Sequence, residues 1–71
     1  MFDKDFVRKR LRQIRIEAKL TIEALAKEVG VSKGTVSRWE SGIRVPELES
    51  LWKLADFYGI SIDELVGRKL P

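Results

Sequence analysis

The sequence predicts an all-α domain of five short helices, and three observations lead there. Apolar residues recur at intervals of three and four, the spacing of one helix face, with no alternating run that would read as a strand. Gly30, Gly42, Gly59 and Gly67 fall just after these periodic runs, where a left-handed C-cap is wanted. Thr21, Ser32 and Ser61 fall just before them, where a side-chain oxygen can accept a first-turn N–H.

Segment one runs from about Asp5 to Ala18. Val7, Leu11, Ile14 and Ala18 make its inward stripe, and Asp3 or Asp5 caps its start. Beside that stripe, Arg8, Arg12, Arg15 and Lys19 repeat at the same spacing as a basic row. Segment two, Ile22 to Val29, follows the Thr21 cap and turns Leu25, Ala26 and Val29 inward. Only Gly30-Val31-Ser32 separates it from segment three, Lys33 to about Ser41, so the chain turns sharply and Val31 plugs the corner. Val36 and Trp39 share the buried face of segment three. Segment four, Leu48 to Tyr58, comes after Pro46, with Leu48, Leu51, Leu54, Ala55 and Tyr58 as its stripe. Segment five, Ile62 to Val66, closes the core with Ile62, Leu65 and Val66, and a short tail ends at Pro71. One domain over residues 1–71 is expected, since chains divide into separate cores only at several times this length.

Composition narrows the function. Cysteine and histidine are absent, which removes disulfides, thiolate metal sites, the commonest metal ligand and the commonest general acid–base group. No metal, no cofactor and no enzymatic activity are expected. No apolar run approaches the ~18 residues of a membrane span, and the N-terminus lacks a secretory h-region. A cytoplasmic protein with no membrane partner is therefore expected. The net charge of +3 is unevenly placed: residues 1–45 carry eleven bases against six acids, and residues 46–71 carry three against five. Such polarity suits a polyanionic partner on one side.

Segments two and three together form a helix–turn–helix. Segment three carries small and polar residues outward (Lys33, Gly34, Thr35, Ser37, Arg38) and apolar anchors inward, the distribution needed by a helix that enters the major groove. The runs Leu20-Thr21-Ile22-Glu23-Ala24-Leu25-Ala26, Gly30-Val31-Ser32, Val36-Ser37-Arg38-Trp39-Glu40-Ser41-Gly42, Arg44-Val45-Pro46 and Gly59-Ile60-Ser61-Ile62-Asp63-Glu64-Leu65 resemble the lambda-repressor/Cro helix-turn-helix family, also called the XRE family. The resemblance extends from about Leu11 to Val66. It implies a compact five-helix domain whose third helix reads DNA, and operator binding as a dimer.

Carried over by position, the resemblance implies base contacts from Lys33, Gly34, Ser37 and Arg38, of which Lys33 and Arg38 suit guanine O6/N7. Phosphate contacts are expected from Thr21 and Ile22 at the start of segment two, from Thr35, and from the loop residues Gly42, Ile43 and Arg44, the loop acting through backbone N–H groups and the Arg44 charge. The resemblance also implies a structural ion pair between Arg15 and Glu40, and the position of Arg15 beside the Leu11/Ile14 stripe independently suggests partial burial. Two residues depart from the family pattern. Ile22 stands where a glutamine usually holds a phosphate, and Gly34 puts no side chain at a base-reading position. Either the backbone at Gly34 comes very close to the DNA or one base step goes unread.

Trp52 and Phe57 lie off the segment-four stripe and are the candidate dimer surface, wrapping of the core edge being the competing assignment. The reading is a sequence-specific double-stranded DNA-binding transcriptional regulator, repressor-like, acting as a homodimer. The alternative is a protein-interaction module on the same fold, antitoxin-like or an anti-regulator subunit, with a protein partner; Ile22, Gly34, Trp52 and Phe57 lean that way.

Overall fold

The computed structural model describes residues 1–68 and contains five helices and, among those residues, no strand. The end of the expected domain, residues 69–71, lies outside the described residues. The helices are α1 (Lys4–Glu17), α2 (Ile22–Val29), α3 (Lys33–Ser41), α4 (Leu48–Tyr58) and α5 (Ile62–Val66).

Local chemistry sets most boundaries. The Asp3 carboxylate accepts the Phe6 N–H at 3.1 Å, which starts α1 one residue before the expected Asp5. Thr21 accepts from Ala24 and Ser32 from Thr35, each with a side-chain oxygen at about the ideal distance. Ser61 and Glu64 form a reciprocal capping box on α5. By contrast α1 ends on a lysine: Lys19 adopts φ of 60° and donates its N–H to the Ile16 carbonyl. That left-handed turn makes Ala18 the exposed C-cap of α1, so the expected inward placement of Ala18 is wrong. Its place would be on the stripe only if the helix continued.

The core joins Val7, Leu11 and Ile14 of α1 to Leu25, Ala26 and Val29 of α2, Val36 and Trp39 of α3, Leu54 and Ala55 of α4, and Leu65 of α5. Val36, Leu54 and Leu65 are its fully buried centre. Helix α1 packs on α3 and α5, α2 packs on α3 and α4, and α4 packs on α5. Half-buried Val31 fills the α2–α3 corner while its N–H donates to the Ala26 carbonyl. Arg10 clamps α1 to α5, donating twice to the Glu64 carbonyl at 3.2 and 2.9 Å.

Leu48 does not join this core. It opens α4 and is 67% exposed, so the buried stripe of α4 begins one turn later, at half-buried Leu51. Leu48 keeps the helical period but stands at the end of α4, outside the set of residues packed against the core. Leu65→Ala is expected to cost about 2–5 kcal/mol, read as a lowered urea midpoint, because it leaves a cavity at a fully buried site where α5 packs on α1 and α4.

Candidate nucleic-acid interface

Helix α3 is sharply two-sided. Val36, Trp39 and Glu40 are buried, whereas Lys33, Gly34, Ser37 and Arg38 are exposed, and Thr35 is half-buried between them. The four candidate base-reading residues thus share one solvent face over the first six residues of the helix. Behind them the anchors are apolar, apart from Glu40.

Glu40 is the exception that fixes α3 in place. Arg15 donates from Nε to one Glu40 carboxylate oxygen at 2.7 Å and from Nη2 to the other at 2.9 Å. Its remaining nitrogen, Nη1, donates to the Leu20 carbonyl at 2.7 Å, immediately before the Thr21 cap of α2. One guanidinium therefore ties α1 to the end of α3 and to the start of α2. Both side chains are about nine-tenths buried. The hydrogen bond to Glu40 holds the Arg15 guanidinium even more firmly protonated than usual, against burial, which acts the other way. Tyr58 of α4 lies beside this pair with a buried hydroxyl that has no hydrogen-bond partner among the described residues. Burial, reinforced by the Glu40 charge, pushes its phenol up from about 10 to about 12, and Arg15 partly opposes this.

The candidate phosphate contacts divide into two groups. At the start of α2, the Ile22 N–H is a first-turn donor with no helical acceptor, and Thr21 uses only its lone pair in capping. The Ile22 side chain is half-buried and packs on the core, which explains an apolar residue at this position. Thr35 shares a hydroxyl–hydroxyl bond of 2.8 Å with Ser32.

The loop after α3 behaves differently from expectation. The N–H groups of Gly42, Ile43 and Arg44 all point back to α3, donating to the carbonyls of Trp39, Arg38 and Arg38 at 3.4, 3.1 and 3.2 Å. They terminate the helix, with Gly42 at φ of 83°. The N–H groups of Gly42 and Ile43, expected to meet a phosphate, are engaged within the protein, and the Arg44 side chain is the uncommitted donor of the loop. Arg44 lines a shallow hollow with Thr35, Arg38, Glu47 and Ser50. Sequence spacing does not bring Glu47 and Ser50 to this hollow; the path of the loop does. The methylenes of Arg8, from α1, lie on Gly42, where a Cβ would come within 2.8 Å of Cδ. Arg8 is paired with Asp5 at 2.6 Å. Only its place in the basic row of α1 hinted at this position.

Trp52 and Phe57 do not form one surface. Five helical residues apart, they point roughly 140° from each other around α4. Trp52, 61% exposed, borders a hollow with Ile60 and Ile62, whereas Phe57, 40% exposed, sets its ring edge-on to Tyr58 at 5.2 Å. No helix among the described residues is long and apolar enough to cross a membrane.

Residues 11–65 match the HTH_3 family model, helix-turn-helix. Over 58 residues, 82% of this chain, the sequence is 44% identical to the cryptic phage CTXphi transcriptional repressor RstR of Vibrio cholerae, of which 52% is covered. It is 41% identical over 58 residues, again 82% of the chain, to the HTH-type transcriptional activator BcrR of Enterococcus faecalis, of which 28% is covered. The crystal structure of an HTH_3 family transcriptional regulator from Vibrio cholerae matches with a TM-score of 0.81 and 27% identity, covering 93% of this chain and 37% of that one. The chain thus spans about half the length, or less, of these relatives.

Two outcomes test the electrostatics around Arg15. Glu40→Ala, which leaves a buried guanidinium without its carboxylate, is expected to cost about 3–5 kcal/mol in urea denaturation. A loss below about 1 kcal/mol would mean the pair behaves as a surface bridge. For Tyr58 the folded-state value lies above the unfolded one, so its contribution is fully present below about pH 10 and is lost as pH rises towards about 12. Tyr58 is the chain's single tyrosine, so absorbance titration of its phenolate reads that value directly. Tyr58→Phe should remove this part of the alkaline loss without destabilising the protein at neutral pH, because the hydroxyl has no partner to lose.

Proposed function

The chain belongs to the helix-turn-helix family HTH_3, and on that premise we propose that it is a sequence-specific double-stranded DNA-binding transcriptional regulator that places α3 in the major groove. The carrying observation is the division of α3 into a buried anchor face and an exposed face of Lys33, Gly34, Ser37 and Arg38. A groove-entering helix needs hydrogen-bonding side chains at its leading end and rigid attachment behind them. Arg38 and Lys33 are assigned to guanine edges. Phosphate contacts are assigned to the Thr21 hydroxyl and Ile22 N–H at the start of α2, to Thr35 and to the Arg44 guanidinium. These fix register, and the α3 side chains specify sequence.

The activity proposed is operator occupancy in the cytoplasm, without catalysis or a cofactor. Repression is the direct consequence of occupancy. The named relatives include a repressor and an activator, so the sign in a given promoter follows where the operator lies. A nine-residue helix spans only a few base pairs, so two copies on a symmetric site are proposed. Trp52 and the neighbouring Leu48, both strongly exposed on one side of α4, support a contact between copies there, and Phe57, less exposed, faces another side of the helix.

In vitro selection from random duplex DNA tests the reading: an enriched palindrome with half-sites about one helical turn apart is expected, and no enrichment overturns it. Binding measurements on the enriched site then separate the two arginines. Arg38→Ala should lose about 1–3 kcal/mol of discrimination at one base pair. Arg44→Ala should weaken all sequences alike and lower the salt slope by about one. Equal, sequence-independent losses for both would refute the division of roles.

A further inference from the structure

Gly34 needs an explanation that the fold does not supply. Glycine is among the weakest helix formers, yet it stands in the first turn of α3. The glycines at 30, 42, 59 and 67 all have positive φ, which a side chain resists. Gly34 is not among them, and its backbone is ordinary helix. Conformational freedom is therefore not its use.

Space is. A Cβ built on Gly34 would lie 3.1 Å from Nη1 of Arg38, 3.6 Å from Nη2 and 3.7 Å from Cζ. The guanidinium thus occupies the place where a side chain at position 34 would begin. Residues four apart are neighbours on a helix surface, and a helical side chain leans towards the N-terminus, so Arg38 reaches its seat along the natural direction. Nothing electrostatic within the protein draws it there. Among the described residues the Arg38 guanidinium has no carboxylate within ion-pair distance. The start of a helix carries the positive end of the dipole, which repels a cation.

We propose that Gly34 is a positioning residue for Arg38. Its missing side chain lets the guanidinium lie along the first turn of α3 and present its donor fork at the base step that a residue at position 34 would otherwise face. Gly34 then neither touches a base nor leaves a step unread. It sets which base pair Arg38 reads, and the inference rests on the DNA-binding reading given above.

The test uses wild type, Gly34→Ala, Arg38→Ala and the double variant, on the DNA site selected by the wild type and on its single-base-pair variants. Gly34→Ala should fold, because its Cβ meets only the far end of a flexible side chain, and its Tm should rise by about 4 °C as helix propensity improves. Arg38→Ala is expected to lose about tenfold of discrimination at one base pair. Gly34→Ala should lose most of that discrimination at the same base pair despite its higher Tm. In the Arg38→Ala background, adding Gly34→Ala should change affinity by less than about twofold for every site, the limit of additivity for independent positions. An equal loss in both backgrounds would mean that DNA packs on Gly34 itself and would overturn the proposal. Unchanged discrimination in Gly34→Ala would overturn it too. A wild type that enriches no DNA sequence is a separate result, obtained before any variant is made, and it overturns the DNA-binding reading and this inference together.

Discussion

The bond between Arg15 and Glu40 is the constraint on which the recognition surface depends. Burial of Val36 and Trp39 attaches α3 to the core, but apolar contact is non-directional and leaves the helix free to roll or slide. A bidentate guanidinium–carboxylate pair is directional and fixes an angle as well as a distance. Here the third donor of the same guanidinium holds the Leu20 carbonyl, so α2 and α3 are indexed to one atom group on α1. Glu40 is an unfavourable residue for the last turn of α3, where the dipole repels an anion. Its presence there, buried, makes sense only with Arg15 opposite. A buried pair of this kind contributes modestly to net stability when compared with apolar packing. What it contributes is orientation of the helix that carries Lys33, Ser37 and Arg38.

The helix caps enforce a second division. At the N-termini of α2 and α3, capping uses side-chain oxygens and leaves first-turn N–H groups pointing outward. At the C-terminus of α3, capping uses the backbone N–H groups of the loop itself. The starts of these helices can therefore offer backbone donors to a phosphate, and the end of α3 cannot. This explains why the loop carries an arginine at position 44: once its N–H groups are committed to the helix, only a side chain can reach out.

Much of this was legible in the residues because it is local. The caps at Thr21, Ser32 and Ser61, the glycines after α2, α3, α4 and α5, and the Val36/Trp39 spacing each depend on a few consecutive residues. The misreadings are where a distant or subtler fact decides. Ala18 matches the stripe of α1 in spacing, but a lysine in the left-handed conformation ends the helix first. Leu48 matches the stripe of α4, but it stands at the helix end, outside the residues that pack on the core. Trp52 and Phe57 both lie off the stripe of α4, and the helical period sets them on different sides of it. In sequence the backbone N–H groups of Gly42 and Ile43 look available to a phosphate. Whether these donors are used depends on how far the last turn of α3 tightens. The seat of Arg38 over Gly34 was likewise invisible, since spacing brings the two residues together but does not say which way an arginine lies.

The uneven charge of the sequence also changes meaning once partners are known. Several of the bases in the first 45 residues are already engaged. Arg8 and Lys9 share Asp5, Arg15 is held by Glu40, and Arg10 is bound to a carbonyl. Lys33, Arg38 and Arg44, like Lys4, Arg12, Lys19 and Lys27, have no carboxylate within ion-pair distance among the described residues. Binding a polyanion through Lys33, Arg38 and Arg44 breaks no internal ion pair, whereas recruiting Arg8 requires it to leave Asp5 first. Three of these seven uncommitted bases lie together on α3 and the loop that follows it. It is the same short stretch that Arg15 and Glu40 hold in register, so the charge that attracts and the side chains that discriminate arrive at the duplex in one fixed orientation.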